Sequence, residues 1–417
     1  MNGRAFLVIL DGLRRDFVTP QLMPRLAAFA NEATTFAHHR SMVPSVTRVC
    51  SASVATGCWP ARHGLEANTM ALVEDGTLVV HDAGHPEFLQ HKRRVTGRSL
   101  AVPTLAERLA NHGGVRIFSN VSPGAAYAHD PDGFGHVYHR AGSFGPGRVP
   151  LGEPDALEVG ADLDGDRATT VRFIAQTVAA HACALSVLWL GHPDTTQHAV
   201  ALGSPDHIEA LRRADAHAGM VMDAARGADD LLIIGSDHGH QTVTGAVDVE
   251  EALRAGGVLD GLGARDLAVA PNGTAALIYL SEAARYRAEA IAAFIERQPW
   301  SQHVVFGEAL GDVGQSADGP LAILVTMAVS EEANRHGVPG AALVAKPRGG
   351  KDPGIGFGQH GGLGLREQSP VLMARGRGFS PGERRDEGTS LVDLAPTILA
   401  HLRRPCDGMD GRSLQRS

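Results

Sequence analysis

The sequence predicts an α/β protein whose core is a doubly wound, mostly parallel sheet, with a small α+β segment inserted late in the chain. Three observations carry this reading. Short, largely apolar runs recur at Ala5–Leu10, Leu185–Leu190 and 231–234, as strands buried on both faces require. Stretches with helical spacing stand between them, so strands and helices alternate. Each run also ends in acidic or imidazole residues beside Gly or Pro: Asp11-Gly12, His192-Pro193-Asp194, and Asp237-His238-Gly239. In such sheets ligands gather at the carboxyl ends of the strands.

In chain order, the strand Ala5–Leu10 is followed by helical spacing over 24–33 and a short strand over 35–38. The stretch 43–65 then places Thr47 just past a proline-bounded turn, ahead of small residues and the punctuation Thr56-Gly57 and His63-Gly64. A hydroxyl at the start of a helix faces unpaired N–H groups and the positive end of the helix dipole, an environment suited to a phosphoryl group. Residues 66–99 lack clear periodicity and read as a surface excursion. A helix over 103–111 and a strand over 115–118 follow, and Gly, Pro and His make 124–154 a loop.

Asp166 is the expected cap of a helix running to about residue 182. Helical spacing returns over 207–225 between the next two strands. The pattern changes over 245–344, where Ala275–Leu280 and Leu321–Met327 read as strands and 286–296 as a helix. The expected organisation is therefore a core of 1–244 and 345–417 with an inserted cap at 245–344. Beyond the cap, the glycine-rich 349–364 carries His360, and 370–373 and 393–402 return to strand and helix.

The formal charge of -8 argues against a nucleic acid polymer as partner. No apolar run reaches the ~20 residues of a membrane span, and the first run is too short for a signal peptide, so the expectation is a cytoplasmic chain without membrane attachment. Cys50, Cys58, Cys183 and Cys406 make no paired spacing and read as free thiols. Oligomeric state is not readable. The 21 histidines are the unusual entry, because several sit at strand ends beside Asp.

Those side chains sort into two groups. Asp194 and His198, four apart, can be joined by His360; Asp11 can join Asp237 and His238. Mixed imidazole and carboxylate donors suit a pair of Zn²⁺ ions, with Mn²⁺ or another divalent ion as the alternative. One ion would bind the Thr47 hydroxyl and activate it; the other would hold a phosphoryl oxygen. His63 and His240 stand nearby and read as structural hydrogen-bonders or pocket walls.

The spacings resemble the alkaline phosphatase superfamily, nearest to its type I nucleotide pyrophosphatase/phosphodiesterase branch, with the phosphonoacetate hydrolases close by. The text that carries the resemblance is Leu10-Asp11-Gly12, Pro44-Ser45-Val46-Thr47, Thr56-Gly57, Pro60-Ala61-Arg62-His63-Gly64, Pro193-Asp194 with His198, Ser236-Asp237-His238-Gly239 and His360-Gly361-Gly362. The resemblance implies an alkaline phosphatase-like core and one zinc on Asp194, His198 and His360. A second zinc would sit on Asp11, Asp237 and His238 beside the nucleophile Thr47, which would pass through a phosphothreonine. It also implies an asparagine a few residues after the nucleophile, donating to a phosphate oxygen. Cys50 stands there, a much weaker donor, and Arg48 is the candidate substitute.

The expected function is a two-zinc phosphodiesterase acting on a small phosphoester. A phosphonoacetate-type phosphonate hydrolase is the alternative, and an idle phospho-ligand-binding protein, supported by Cys50 alone, is a further one. Cys58-Trp59-Pro60-Ala61-Arg62 matches a sulfatase pattern but lies downstream of where that nucleophile would align. Asp162 to Asp166 imitates half a calcium loop without its terminal Glu. Gly354 to Gly358 follows no strand and is no dinucleotide fingerprint.

Overall fold

The strand Ala5–Leu10 divides its side chains between two cores. Ala5, Leu7 and Ile9 enter one buried apolar cluster, and Phe6, Val8 and Leu10 enter another. This is the period-two alternation of a strand covered on both faces. The structure, a computed structural model, describes residues 3–416.

Ala5–Leu10 lies in a ten-stranded sheet. Across it the order is Arg384–Ser390, Thr34–Arg40, Leu372–Arg375, Leu231–Gly235, Ala5–Leu10, Leu185–Leu190, Val115–Ser119, His136–Tyr138 and the two-residue pieces Phe144–Gly145 and Val149–Pro150. The inner pairs are parallel; Leu372–Arg375 runs antiparallel to both its neighbours. Helices Thr47–Thr56 and Leu394–His401 cover one face, and Pro24–Phe29, Leu163–Phe173 and Pro205–Ala224 the other. The expected doubly wound α/β core is therefore present. The antiparallel strand Leu372–Arg375 has a consequence for the site. Its N-terminal end lies where the parallel strands have their C-terminal ends, so the loop holding His360 arrives on the same edge as Asp11, Asp194 and Asp237.

Two segments read as irregular are built. Residues 66–99 hold the hairpin Thr69–Glu74 with Thr77–Asp82, closed by Asp75-Gly76 at positive φ, and the helix Phe88–Thr96. Residues 124–154 supply the helix Pro123–Ala128, begun one residue earlier, and the last strands of the main sheet. Asp166 is not the expected cap. Asp162 caps the helix, accepting from Gly165 N at 2.7 Å, while Asp166 is buried in the first turn. There its carboxylate accepts from the backbone N–H of Gly191 and His192, and so anchors the turn that leads to Asp194.

Within 245–344, the strands Leu267–Asn272, Ala275–Leu280, Leu321–Met327 and Ser301–Phe306 form an antiparallel sheet backed by the helix Ala288–Glu296. They share an apolar cluster containing Ile278, Leu280, Ile291, Ile295 and Val325. A further sheet joins Gln241–Val247 to Pro339–Ala345 and Gly358–Gln359, so the chain leaves and re-enters the inserted segment along paired strands. No helix among the described residues is long and apolar enough to cross a membrane.

Glu66 links the hairpin region to the inserted sheet, its Oε2 accepting from the Tyr279 hydroxyl at 2.9 Å. Burial raises its carboxyl from the ordinary 4.5 to about 7, the Tyr279 hydrogen bond and the Lys92 charge offsetting only part of the shift. A folded-state pKa above the unfolded one makes stability fall as pH rises through this window, because the folded chain holds the proton more tightly. The loss amounts to up to about 3 kcal/mol above pH 7. Glu66→Gln should therefore unfold at higher urea than the parent at pH 8, and at the same urea near pH 4.5. Parallel pH profiles of the two proteins would contradict this.

Candidate active site and its metal-ligand cluster

Thr47 is the first residue of the helix Thr47–Thr56, after an extended Val46 that offers no side-chain cap. Of the first-turn amides, that of Arg48 is taken by Asn68 Oδ1 at 3.1 Å, and the dipole adds positive potential at this end. The helix stops at Gly57, whose φ of +68° gives the left-handed C-terminal turn. Ser45 fixes the approach to Thr47: its backbone N–H donates to Gly361 O, and its Oγ accepts from Gly361 N and donates to Gly362 O. The Thr47 turn and the His360 loop are thereby one unit. Thr47 Oγ1 lies 3.2 Å from His238 Nε2.

Two carboxylates beside it share one arrangement. Asp11 accepts from Trp189 Nε1 on Oδ2, at 2.8 Å, and its Oδ1 is buried with no partner. Asp237 accepts from Gly12 N on Oδ1, at 3.1 Å, and its Oδ2 is buried with no partner. The free oxygens face His238 Nε2, at 3.5 Å from Asp11 and 3.2 Å from Asp237. Burial, then the neighbouring Asp237 and Asp194, raises Asp11 well above the usual carboxylate range. Burial and Asp194 raise Asp237 to about 8.

The imidazoles show the complementary arrangement. His198 Nδ1 donates to Gly358 O at 3.1 Å, His238 Nδ1 to Gly239 O at 3.2 Å, and His360 Nδ1 to Ser45 O at 2.7 Å. A proton held on Nδ1 leaves the Nε2 lone pair free, which is how metal-binding histidines are oriented. Those of His198 and His360 lie 3.3 and 3.6 Å from Asp194 Oδ1. Burial alone would raise Asp194, but His198 and His240 beside it outweigh that and hold it well below the usual range. Desolvation depresses His238 to about 3 and His360 well below its ordinary value.

Unpartnered carboxylate oxygens and neutral Nε2 atoms, turned to one point in a buried place, fit divalent cations. Asp11, Asp237 and His238 make one set of donors within 4.8 Å of one another; Asp194, His238, His240 and His360 make another. Of the six residues named from the sequence, five fall in these two sets, and His198 adjoins them, its Nε2 3.3 Å from Asp194 Oδ1. His240, expected to be a structural hydrogen-bonder, sits among the donors of the second set, with Nε2 2.7 Å from Asp194 Oδ1. His63, also expected to be structural, bonds Ser53 Oγ at 3.0 Å away from the cleft.

The cluster opens into a cleft of about 430 Å³, lined by Thr47, Arg48, Asn68, Arg140, Lys351 and Asn272 among others. Arg48 takes the position expected of a substrate-side cation. Cys50 does not line the cleft: it is fully buried, 3.4 Å from Ser41 Oγ and 3.7 Å from Asp237 O. Three residues along the helix, the chain has already descended about 4.5 Å into the core. Asn68, an amide that the sequence reading missed, lines the cleft instead. Asn68 Oδ1 accepts from Arg48 N at 3.1 Å, which leaves its Nδ2 to donate toward the cleft.

Glu367 is a second residue missed in the sequence. Fully buried, it accepts from Thr274 Oγ1, Gly362 N, Gly364 N and Gln241 Nε2, and holds the His360 loop against the inserted sheet.

The fold is an α/β core that gathers a cluster of metal-donor side chains at one edge of its main sheet. The chain belongs to the family described as type I phosphodiesterase/nucleotide pyrophosphatase, whose profile matches residues 5–303. It is accordingly a phosphoric ester hydrolase of a metal-dependent family that acts on small nucleotide or phosphoester substrates. Among solved structures, the mouse ectonucleotide pyrophosphatase/phosphodiesterase 5 matches with a TM-score of 0.68 and 17% identity, covering 98% of this chain and 97% of its own. The human protein of that name matches at 0.66 and 16%, with the same coverage. The mouse protein also matches as an inactive threonine-to-alanine variant in complex with AMP, again at 0.68 and 17%. Comparison with curated proteins returned no match.

The His360 loop crosses the inserted segment where neither backbone tolerates a side chain. A Cβ on Gly273, at φ +65°, would fall 1.9 Å from His360 O, and one on Gly361 would fall 1.9 Å from Asn272 O. Gly273→Ala should therefore displace His360 and lower turnover by about a hundredfold, with reduced metal content at equal folded fraction. Parent-like metal content and turnover would show that the crossing does not position His360.

Proposed function

We propose that this protein hydrolyses small phosphodiesters by attack of Thr47 on phosphorus, in a cleft that binds two divalent cations, zinc by donor chemistry and Mn²⁺ as the alternative. The observation that carries the reading is the pairing of three Nδ1-tethered imidazoles with two half-tethered carboxylates around one alcohol. Asp194, His198 and His360 would hold one ion, and Asp11, Asp237 and His238 the other, beside Thr47. Bound there, the cations supply positive charge that favours the alkoxide form of the alcohol and neutralises phosphoryl oxygens.

The chain's own groups do the rest. The Thr47 amide at the helix start and the Asn68 side-chain amide donate to phosphoryl oxygens, and Arg48 adds positive charge at the cleft wall. Thr47 Oγ forms a bond to phosphorus while the bond to the leaving alcohol breaks in line, the alcohol oxygen keeping the electron pair. Water then cleaves the phosphothreonine, restoring the hydroxyl and releasing a phosphomonoester. AMP in the mouse neighbour is a phosphomonoester of the kind such a reaction releases. Cys50, the one argument for an idle binding protein, lies outside the cleft.

A phosphonate substrate bearing a second anionic group is the second reading. Arg48, Arg140 and Lys351 line the cleft, and no Phe, Tyr or Trp is among its described lining residues to stack a nucleobase. The segment 245–344, as a cap, would set this specificity through Pro271, Asn272 and Gly273 at the wall.

Thr47→Ala should lose at least about a thousandfold in turnover of bis-p-nitrophenyl phosphate while keeping its metal content; unchanged turnover would remove the mechanism. Lys351→Ala should raise KM for phosphonoacetate about tenfold and leave KM for the neutral-armed diester unchanged. If the parent does not turn over phosphonoacetate at all, the second reading fails and the first stands.

A further inference from the structure

A second group of metal-donor side chains lies outside the cleft. Glu74 ends the first strand of the hairpin, His81 lies near the end of the second, and His91 lies on the helix Phe88–Thr96. Glu74 Oε1 is 2.5 Å from His81 Nε2 and 2.8 Å from His91 Nε2. The three donor atoms lie within 4.8 Å of one another.

The cluster is not an ordinary surface ion pair. Neither Lys nor Arg pairs with Glu74 among the described residues; its only ion-pair partners are the two imidazoles. The hydrogen bond from His91, opposed by slight burial and joined by that from His81, holds the Glu74 carboxyl below its ordinary range, so it is anionic at neutral pH. Both imidazoles present Nε2, and their rings sit 4.8 Å apart at 44°, with His81 further placed by the Phe88 ring at 6.0 Å. Side-chain exposure of 22%, 25% and 31% for His81, Glu74 and His91 leaves one side open to water.

We propose that Glu74, His81 and His91 form a further divalent-metal site, separate from the cleft, which takes Zn²⁺ through two imidazole Nε2 atoms and one carboxylate. Water completes the tetrahedral shell that zinc favours with such donors. The ligands come from both hairpin strands and the following helix, so the ion clamps three pieces of chain. The hairpin matters to the cleft because Thr69 and Asp82, at its two ends, line the wall beside Arg48. Zinc at this site stabilises that wall without touching the reacting groups.

The test is a zinc count on the full-length protein after loading and gel filtration into metal-free buffer, with folding checked by circular dichroism. His91→Gln keeps a hydrogen-bond donor for Glu74 but is a poor zinc ligand; His81→Ala removes a ligand outright. Each should bind one zinc equivalent fewer than the parent, melt at a lower temperature only when zinc is present, and hydrolyse the diester within a few-fold of the parent. Asp237→Asn separates this site from the cleft, since it should lower the count independently of His91→Gln. If the cleft held no metal, the parent would still carry one zinc that His91→Gln removes and Asp237→Asn does not. An unchanged zinc count in both His91→Gln and His81→Ala would overturn the proposal.

Discussion

Three carboxylates, Asp11, Asp194 and Asp237, are gathered within a few residues' reach at one edge of a sheet, all beside one another and largely out of water. They cannot ionise together there unless positive charge joins them. Protein donors meet only half of the demand. Trp189 and Gly12 each take one oxygen of Asp11 and Asp237, and His240 takes one of Asp194. The unpartnered oxygens and the free Nε2 atoms are the two halves of a cation site, and the rest of the architecture brings those halves to the same place. Parallel strands deliver the aspartates from one edge, and the loop before the antiparallel strand Leu372–Arg375 brings His360 to it.

Much of this was readable because buried parallel strands are contiguous apolar runs, and a ligand at a strand end is adjacent to its run. Asp11, Asp194, Asp237 and His238 could be named for that reason. What was not readable lies where the signal is not local. Asn68 reaches the cleft only because the chain passes His63-Gly64 and returns before the hairpin, so its role depends on a tertiary turn. Glu367 belongs to no motif, yet it is the buried acceptor for two glycine amides of the His360 loop. Cys50 was misassigned by counting along the chain rather than along the helix axis.

The hairpin is a different failure, since its signal was present. Asp75-Gly76 is the short turn that favours positive φ at both central positions, here +49° and +76°. The flanking strands, however, do not alternate cleanly. Met70, Ala71 and Leu72 are all buried because the hairpin packs between the helix Phe88–Thr96 and the inserted strand Leu267–Asn272. Burial on both faces erases the period of two on which the reading relied.

The division of labour between core and wall follows from the same geometry. Charge-bearing groups sit on the rigid edge of the main sheet, where neighbouring loops exchange backbone hydrogen bonds such as Asp194 N to Asp11 O. The wall opposite is made from the hairpin and the inserted segment, joined to each other by Asn272, whose side chain bonds both N–H and C=O of Thr69. Gly273 and Gly361 let that wall touch the His360 loop directly. On the proposed reading, specificity and chemistry would reside in different segments that share one contact. A substitution in the wall that widens the cleft without disturbing the glycine crossing would then alter which substrate enters, whereas one that strains the crossing would alter how fast any substrate reacts.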